Sequence, residues 1–138
     1  MNQINTEYLE RCIETLEKAY NLLLLAQEGS IDYEMYRNSM VKGFEMTLEQ
    51  SGKLLRKKLT PYFATKKAVD QLNFKDLFRY ALKHSLLTEE EVERWFEYRD
   101  NRNNTAHDYG KSFAEETLKL MDNFIKDARH IKDVIENE

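Results

Sequence analysis

The sequence predicts an all-α fold, an antiparallel up-and-down bundle of about five helices. Three observations carry this. Apolar residues recur at three- and four-residue spacing over long stretches, which is the period of one helix face. Gly and Pro number only four and one in 138 residues, too few for a turn-rich β protein. Leu, Glu and Lys are abundant, a composition suited to long helices. Residues 1–138 read as one helical domain, with no internal repeat, low-complexity segment or interdomain linker.

The first helix is expected from about Asn5 to Gln27. Its stripe is Ile4, Tyr8, Cys12, Leu16, Ala19, Leu23 and Ala26, widened by Leu22, Leu24 and Leu25. Glu28-Gly29-Ser30 ends it as a C-cap. The second helix is expected from about Asp32 to Leu59, with Tyr36, Met40, Val41, Phe44, Leu48, Ser51, Leu54, Leu55 and Leu59 inward. A Gly inside a helix costs about 1 kcal/mol relative to Ala, so Gly43 and Gly52 call for a packing reason such as close helix approach. Thr60-Pro61 stops the helix, because Pro disfavours a helical residue before it. Residues 60–72 form a connector with one helical turn around Lys66–Leu72.

The third helix starts near Asn73, an N-cap with Asp76 three residues on, and turns Phe74, Leu77, Phe78, Ala81 and Leu82 inward. The fourth has the clearest start. Thr88-Glu89-Glu90-Glu91 is a capping box, and Leu87 with Val92 is the matching hydrophobic staple. Val92, Trp95 and Phe96 face inward, with Arg99 next along that face. The last helix begins at a second capping box, Ser112-Phe113-Ala114-Glu115. Its stripe is Leu118, Met121, Phe124 or Ile125, Ala128, Ile131 and Ile135.

Composition excludes several classes. Charged residues are 33% and mean hydropathy is -0.74, and no apolar run approaches the roughly 20 residues a membrane span needs. The N-terminus lacks a basic segment followed by an apolar one, so no signal peptide is expected. Cys12 has no partner for an internal disulfide, and a cytoplasmic location is expected. A net charge of -4 disfavours wholesale binding to nucleic acid. Lys53, Arg56, Lys57 and Lys58, and Lys66 with Lys67, read as solvated helix ends. Three scattered His and one Cys give no zinc spacing, and no Gly-rich phosphate loop occurs, so neither metal nor cofactor is expected.

The stretch from Tyr98 to Gly110 breaks the local rules. It should form the last turns of a helix and the corner beyond, with Gly110 ending the helix. Yet Asn101, Asn103, Asn104 and Thr105 are poor helix formers, together costing about 2 kcal/mol relative to Ala. Such a conflict inside a regular pattern marks a candidate functional site. Arg99, Asn103 and His107 are spaced i, i+4, i+8 and share one face, so Asn103 can hydrogen-bond His107 and fix its tautomer. Arg102 and His107 are about 140° apart around an ideal helix. They converge only if the Arg side chain wraps round, the helix is distorted, or a second copy contributes.

Arg102-Asn103-Asn104-Thr105-Ala106-His107 resembles the Arg-polar-x-x-x-His motif of the HEPN superfamily (higher eukaryotes and prokaryotes nucleotide-binding domains). The longer form, ending at Tyr109, is similar to the version in HEPN proteins that pair with a minimal nucleotidyltransferase. Trp95-Phe96-Glu97-Tyr98-Arg99-Asp100-Asn101-Arg102-Asn103 and Phe44-Glu45-Met46-Thr47-Leu48-Glu49-Gln50-Ser51-Gly52-Lys53 resemble the nucleotidyltransferase substrate-binding branch. The resemblance covers nearly the whole chain. It implies an up-and-down helical bundle, and a homodimer in which two copies of the motif face a shared cleft. It also implies a minimal nucleotidyltransferase encoded nearby as partner. Gly29-Ser30 is not followed by the Asp-x-Asp metal ligands of such enzymes, so the chain is not itself a nucleotidyltransferase.

The resemblance leaves two main readings. In one, the chain is a binding module whose cleft grips nucleotide or substrate through Arg102 and His107, with Arg99, Asn103 and Tyr109 as further binding residues. In the other it is a metal-independent ribonuclease toxin. His107 is then the general acid or base, Arg102 stabilises phosphate charge, and AMP transfer to Tyr109 neutralises the protein. A third, purely structural reading makes the motif a shaper of the dimer interface. Each residue also has an ordinary alternative: His107 on a helix dipole, Arg102 paired with Asp100 or Asp108, Asn103 as a helix terminator, Tyr109 packed over a corner.

Overall fold

The structure is a computed structural model and describes residues 3–104 and 111–137. Among these, the helices are α1 (Glu7–Leu25), α2 (Ile31–Leu59), α3 (Lys66–Asp70), α4 (Phe74–Lys83), α5 (Glu89–Asn104) and α6 (Lys111–Glu136), with a 3-10 turn over Thr60–Tyr62. The fold is all-α, as the periodicity predicts. The expected turn near Lys66 is the short helix α3, which brings the count to six.

The helix starts follow from their caps. Ser30 Oγ accepts from the Tyr33 N–H at 3.1 Å, and Thr65 Oγ1 from the Ala68 N–H at 3.1 Å. Asn73 and Asp76 close a reciprocal capping box at 2.8 and 3.3 Å. The predicted Thr88 box is present: Glu91 N–H donates to Thr88 Oγ1 at 3.2 Å, and Thr88 N–H to Glu91 Oε1 at 3.1 Å. Arg56, Lys57 and Lys58 close the last turn of α2, where they complement its dipole. Arg56 also donates to the Val69 carbonyl at 2.6 Å, and Lys58 to the Asn137 carbonyl, so these two tie α2 to its neighbours rather than being merely solvated.

Cross-helix pairs fix the directions. Thr6 with Glu136, Arg129 with Glu10 and Glu17, and Tyr20 with Asp122 run α1 antiparallel to α6. Glu91 with His130, Arg94 with Asp127 and Asn101 with Thr117 do the same for α5 and α6. Lys75 with Asp100, and Phe78 stacked 4.9 Å from Trp95, set α4 antiparallel to α5. The long α2 packs against all the other helices. Its two interior glycines have the expected packing reason. A Cβ on Gly43 would lie 3.2 Å from Leu16 Cα in α1, and one on Gly52 would lie 2.9 Å from the Phe74 ring of α4.

The core holds Leu16, Leu23, Phe44, Leu48, Leu55, Phe78, Trp95, Phe124 and Ile131, as the stripes predict. Several placements differ. α1 stops at Leu25, with Ala26 already extended, rather than at Gln27. Leu24 and Leu25 are exposed, because a helix that packs on two neighbours buries one stripe and Leu23 already fills it at that level. Tyr8 is exposed while Leu9 and Ile13 are fully buried, so the true stripe lies one residue round from the predicted edge. Leu82 is partly exposed at the end of α4, and Phe96 is only half-buried. The predicted Ser112 cap and Gly110 stop lie outside the described residues.

Candidate functional site

The end of α5 carries the residues singled out by sequence, and each turns to a different neighbour. Arg99 lies over the Phe74 ring of α4, guanidinium carbon 5.0 Å from the centroid. Asp100 pairs with Lys75 at 2.7 Å. Asn101 donates to the Oγ1 of fully buried Thr117 at 3.0 Å, tying this turn to α6. Arg102 turns to α2, where its Nε meets Glu45 Oε2 at 3.0 Å. Arg102 thus pairs with Glu45, while Asp100 pairs with Lys75. Asn103 is exposed. His107 and Tyr109, and with them the Asn103–His107 contact and the Asp108 alternative, lie outside the described residues.

The Arg102–Glu45 pair is partly sheltered, with side chains 32% and 14% exposed. An ion pair with that much cover is screened less than a surface pair. Beside it, a cavity of about 260 Å³ opens between α2 and the head of α6. Arg37, Asn38, Val41, Lys42 and Glu45 form one wall, and Phe113 with Ala114 the other. The α2 residues converge because positions 37, 41 and 45, and 38, 42 and 45, are three or four apart on one helix face.

Behind the site, one polar knot holds α5 on α6. Arg94 grips the buried Asp127 through Nε at 2.8 Å and Nη2 at 2.9 Å, and Tyr98 Oη donates to Asp127 Oδ2 at 2.5 Å. Burial, then the hydrogen bond to Asp127, pushes the Tyr98 phenol far above its ordinary pKa. The same carboxylate, through its hydrogen bonds, raises the Arg94 guanidinium further still. At the start of α5, burial raises the Glu91 pKa, but the Thr88 backbone and His130 outweigh it, so Glu91 lies below the usual carboxylate range.

Sequence reasoning missed Glu45, Arg37, Lys42 and the Asp127 knot. Glu45 was inside a stretch singled out by resemblance, but nothing local says which helix end it faces. Asp127 carried a readable signal: a carboxylate set within an apolar stripe between Phe124 and Ile131. His84 stacks on Tyr62 at 3.9 Å, and exposed His130 sits on Glu91. Among the described residues, no helix is long and apolar enough to cross a membrane.

The geometry defines an antiparallel all-α bundle with a charged cavity between α2 and the head of α6. Residues 5–137 match the family described as nucleotidyltransferase substrate binding protein like, and the chain belongs to that family. It is 29% identical over 130 residues to a protein named probable ribonuclease HepT of Haemophilus influenzae, a match spanning 90% of this chain and 86% of the relative. Two solved structures share the fold. One is from Haemophilus influenzae and is described as revealing the fold of a substrate binding domain of a nucleotidyltransferase. It has a TM-score of 0.81 at 23% identity, over 96% of this chain and 100% of that one. The other is from Thermus thermophilus, with a TM-score of 0.74 at 20% identity, over 94% and 99%.

Proposed function

We propose that the chain is the helical partner subunit of a separate minimal nucleotidyltransferase. Two copies would form a shared cleft, lined by Arg102, His107, Asn103 and Arg99, that binds nucleotide or substrate. The observation that carries this reading is the position of Arg102. It is held by Glu45 at the mouth of a cation-lined cavity, at the end of the helix that leads to His107. Family membership supports the same reading. Arg102 would then meet phosphate charge and His107 would contact the bound group. Tyr109 would be a further binding residue of the cleft.

The relative named as a probable ribonuclease favours a second reading, cleavage of RNA. There the ribose 2′-hydroxyl loses its proton and attacks the adjacent phosphate, and the bond to the 5′-oxygen of the next nucleotide breaks to leave a 2′,3′-cyclic phosphate. His107 moves a proton as general acid or base, and Arg102 stabilises the developing charge. AMP transfer to Tyr109 belongs to this reading: its phenol attacks the α-phosphorus of ATP on the partner enzyme, gives up its proton and releases pyrophosphate. The net charge of -4 supports the binding role over a free RNA-cutting enzyme. The test is calorimetric titration against the nucleotidyltransferase encoded beside this chain. Binding heat and co-elution are expected, with no nucleotidyl transfer by this chain alone. Absence of both heat and co-elution overturns the subunit reading.

A further inference from the structure

We infer that the cavity between α2 and the head of α6 is a phosphate subsite, in which Arg37 and Lys42 hold a phosphate of a nucleotide. The inference rests on the binding reading above and names the chemical group that the cleft recognises. Arg37 is half-buried and Lys42 is exposed, and both line the cavity. Among the described residues neither makes an ion pair or a side-chain hydrogen bond. In a surface where most cations near α5 and α6 are paired, two unpaired ones on one wall leave a local positive excess. Glu45 is the cavity's carboxylate, and Arg102 neutralises it at 3.0 Å, so it does not cancel that excess.

The remaining wall sharpens the choice of ligand. Val41, Phe113 and Ala114 are buried apolar groups, and such a wall lowers the local dielectric and strengthens the charges beside it. Arg37 offers a planar fork suited to phosphate oxygens, Lys42 a point charge, and Asn38 an amide donor. The volume of about 260 Å³ lies just under the roughly 300–1,000 Å³ of pockets that enclose drug-sized ligands. It suits a phosphate with its sugar, leaving a base outside or over the rim.

The experiment is equilibrium binding of AMP, ATP and inorganic phosphate to the full chain, at low and moderate salt, for wild type, Arg37→Gln, Lys42→Gln and the double variant. Wild type should bind AMP in a salt-sensitive way, and each single variant should weaken it roughly tenfold, as for loss of one charge-assisted contact. Both side chains reach solvent, so the variants should keep the wild-type circular dichroism and melting midpoint. If wild type binds none of the three, or the double variant binds AMP as tightly as wild type, the site is overturned. Competition by a short ribo-oligonucleotide that is lost in the double variant also supports the site and assigns the phosphate to an RNA backbone. Co-elution with the nucleotidyltransferase is scored separately. Phosphate binding without co-elution keeps the site and removes the subunit reading, and co-elution without phosphate binding does the reverse.

Discussion

Asp127 shows how one residue can settle the geometry of two helices. Its side chain is nearly fully buried and accepts three hydrogen bonds, two from Arg94 and one from Tyr98. Removing the carboxylate would leave the buried Tyr98 hydroxyl without its acceptor and strand the Arg94 charge. Arg94 remains partly in water, which moderates the loss. Asp127→Ala should therefore cost about 2–3 kcal/mol, and Tyr98→Phe about 1 kcal/mol, read as shifts of the urea midpoint at constant slope. A smaller loss for Asp127→Ala than for Tyr98→Phe would show that the knot contributes little. The knot was half-legible in the sequence. A carboxylate in an apolar stripe announces a buried partner, and Arg94 and Tyr98 are one turn apart. Their meeting with Asp127 is tertiary, and no local pattern contains it. Glu45 and Arg102 are the same case at the site: both were in stretches that stood out, yet their pairing depends on how α2 crosses the end of α5.

At the scale of elements, the helix starts at Asn73 and Thr88 were the most readable feature, because a capping box is complete within four residues and needs no partner helix. The expected C-cap at Glu28-Gly29-Ser30 is instead the lead-in to α2, with Ser30 as its N-cap and Ala26 closing α1. The stripes were readable to within a residue of rotation. The exception is the α1–α2 hairpin, where Leu24, Leu25, Ile31 and Met35 remain exposed, since apolar identity does not say how many neighbours a helix has. The glycines of α2 illustrate a balance of magnitudes. Replacing Gly52 by Ala gains about 1 kcal/mol of helix propensity. The new Cβ would sit 2.9 Å from a Phe74 ring that packs 4.7 Å from Phe78 and lies under the Arg99 guanidinium. Overpacking a ring held on both faces costs about 1–3 kcal/mol, so Gly52→Ala should be net destabilising by about 1 kcal/mol in thermal or urea unfolding. A stabilised variant would mean that Phe74 swings aside freely.

At the scale of the whole molecule, three helices converge at one end of the bundle. α5 and α6 run antiparallel, and α2 passes both, so the end of α5, the head of α6 and the middle of α2 meet there. The all-α class and the helix order were legible because period and caps are local signals summed over the chain. The cavity was not legible, since its two walls come from α2 and α6, far apart in sequence; only the stretch of poor helix formers at the end of α5 stood out. The spacing of Arg102 and His107, about 140° apart on an ideal helix, gives a molecular-scale expectation. Arg102 is turned to Glu45 on its own α2, and on an ideal helix the two residues of one copy converge only if the Arg side chain wraps round, the helix is distorted or a second copy supplies the match. If each cleft takes Arg102 from one copy and His107 from the other, Arg102→Ala and His107→Ala proteins are each inactive alone. Refolded together, half of their dimers are mixed, and each mixed dimer carries one intact and one doubly altered cleft. Mixing should then restore about a quarter of the wild-type sites, as expected for a two-fold symmetric dimer. The readout is AMP binding stoichiometry under the subunit reading, and RNA cleavage in EDTA under the ribonuclease reading. No recovery on mixing, with co-purification of differently tagged copies showing that mixed dimers formed, would place Arg102 and His107 of each site in the same copy. A monomer at micromolar concentration would remove the shared cleft altogether.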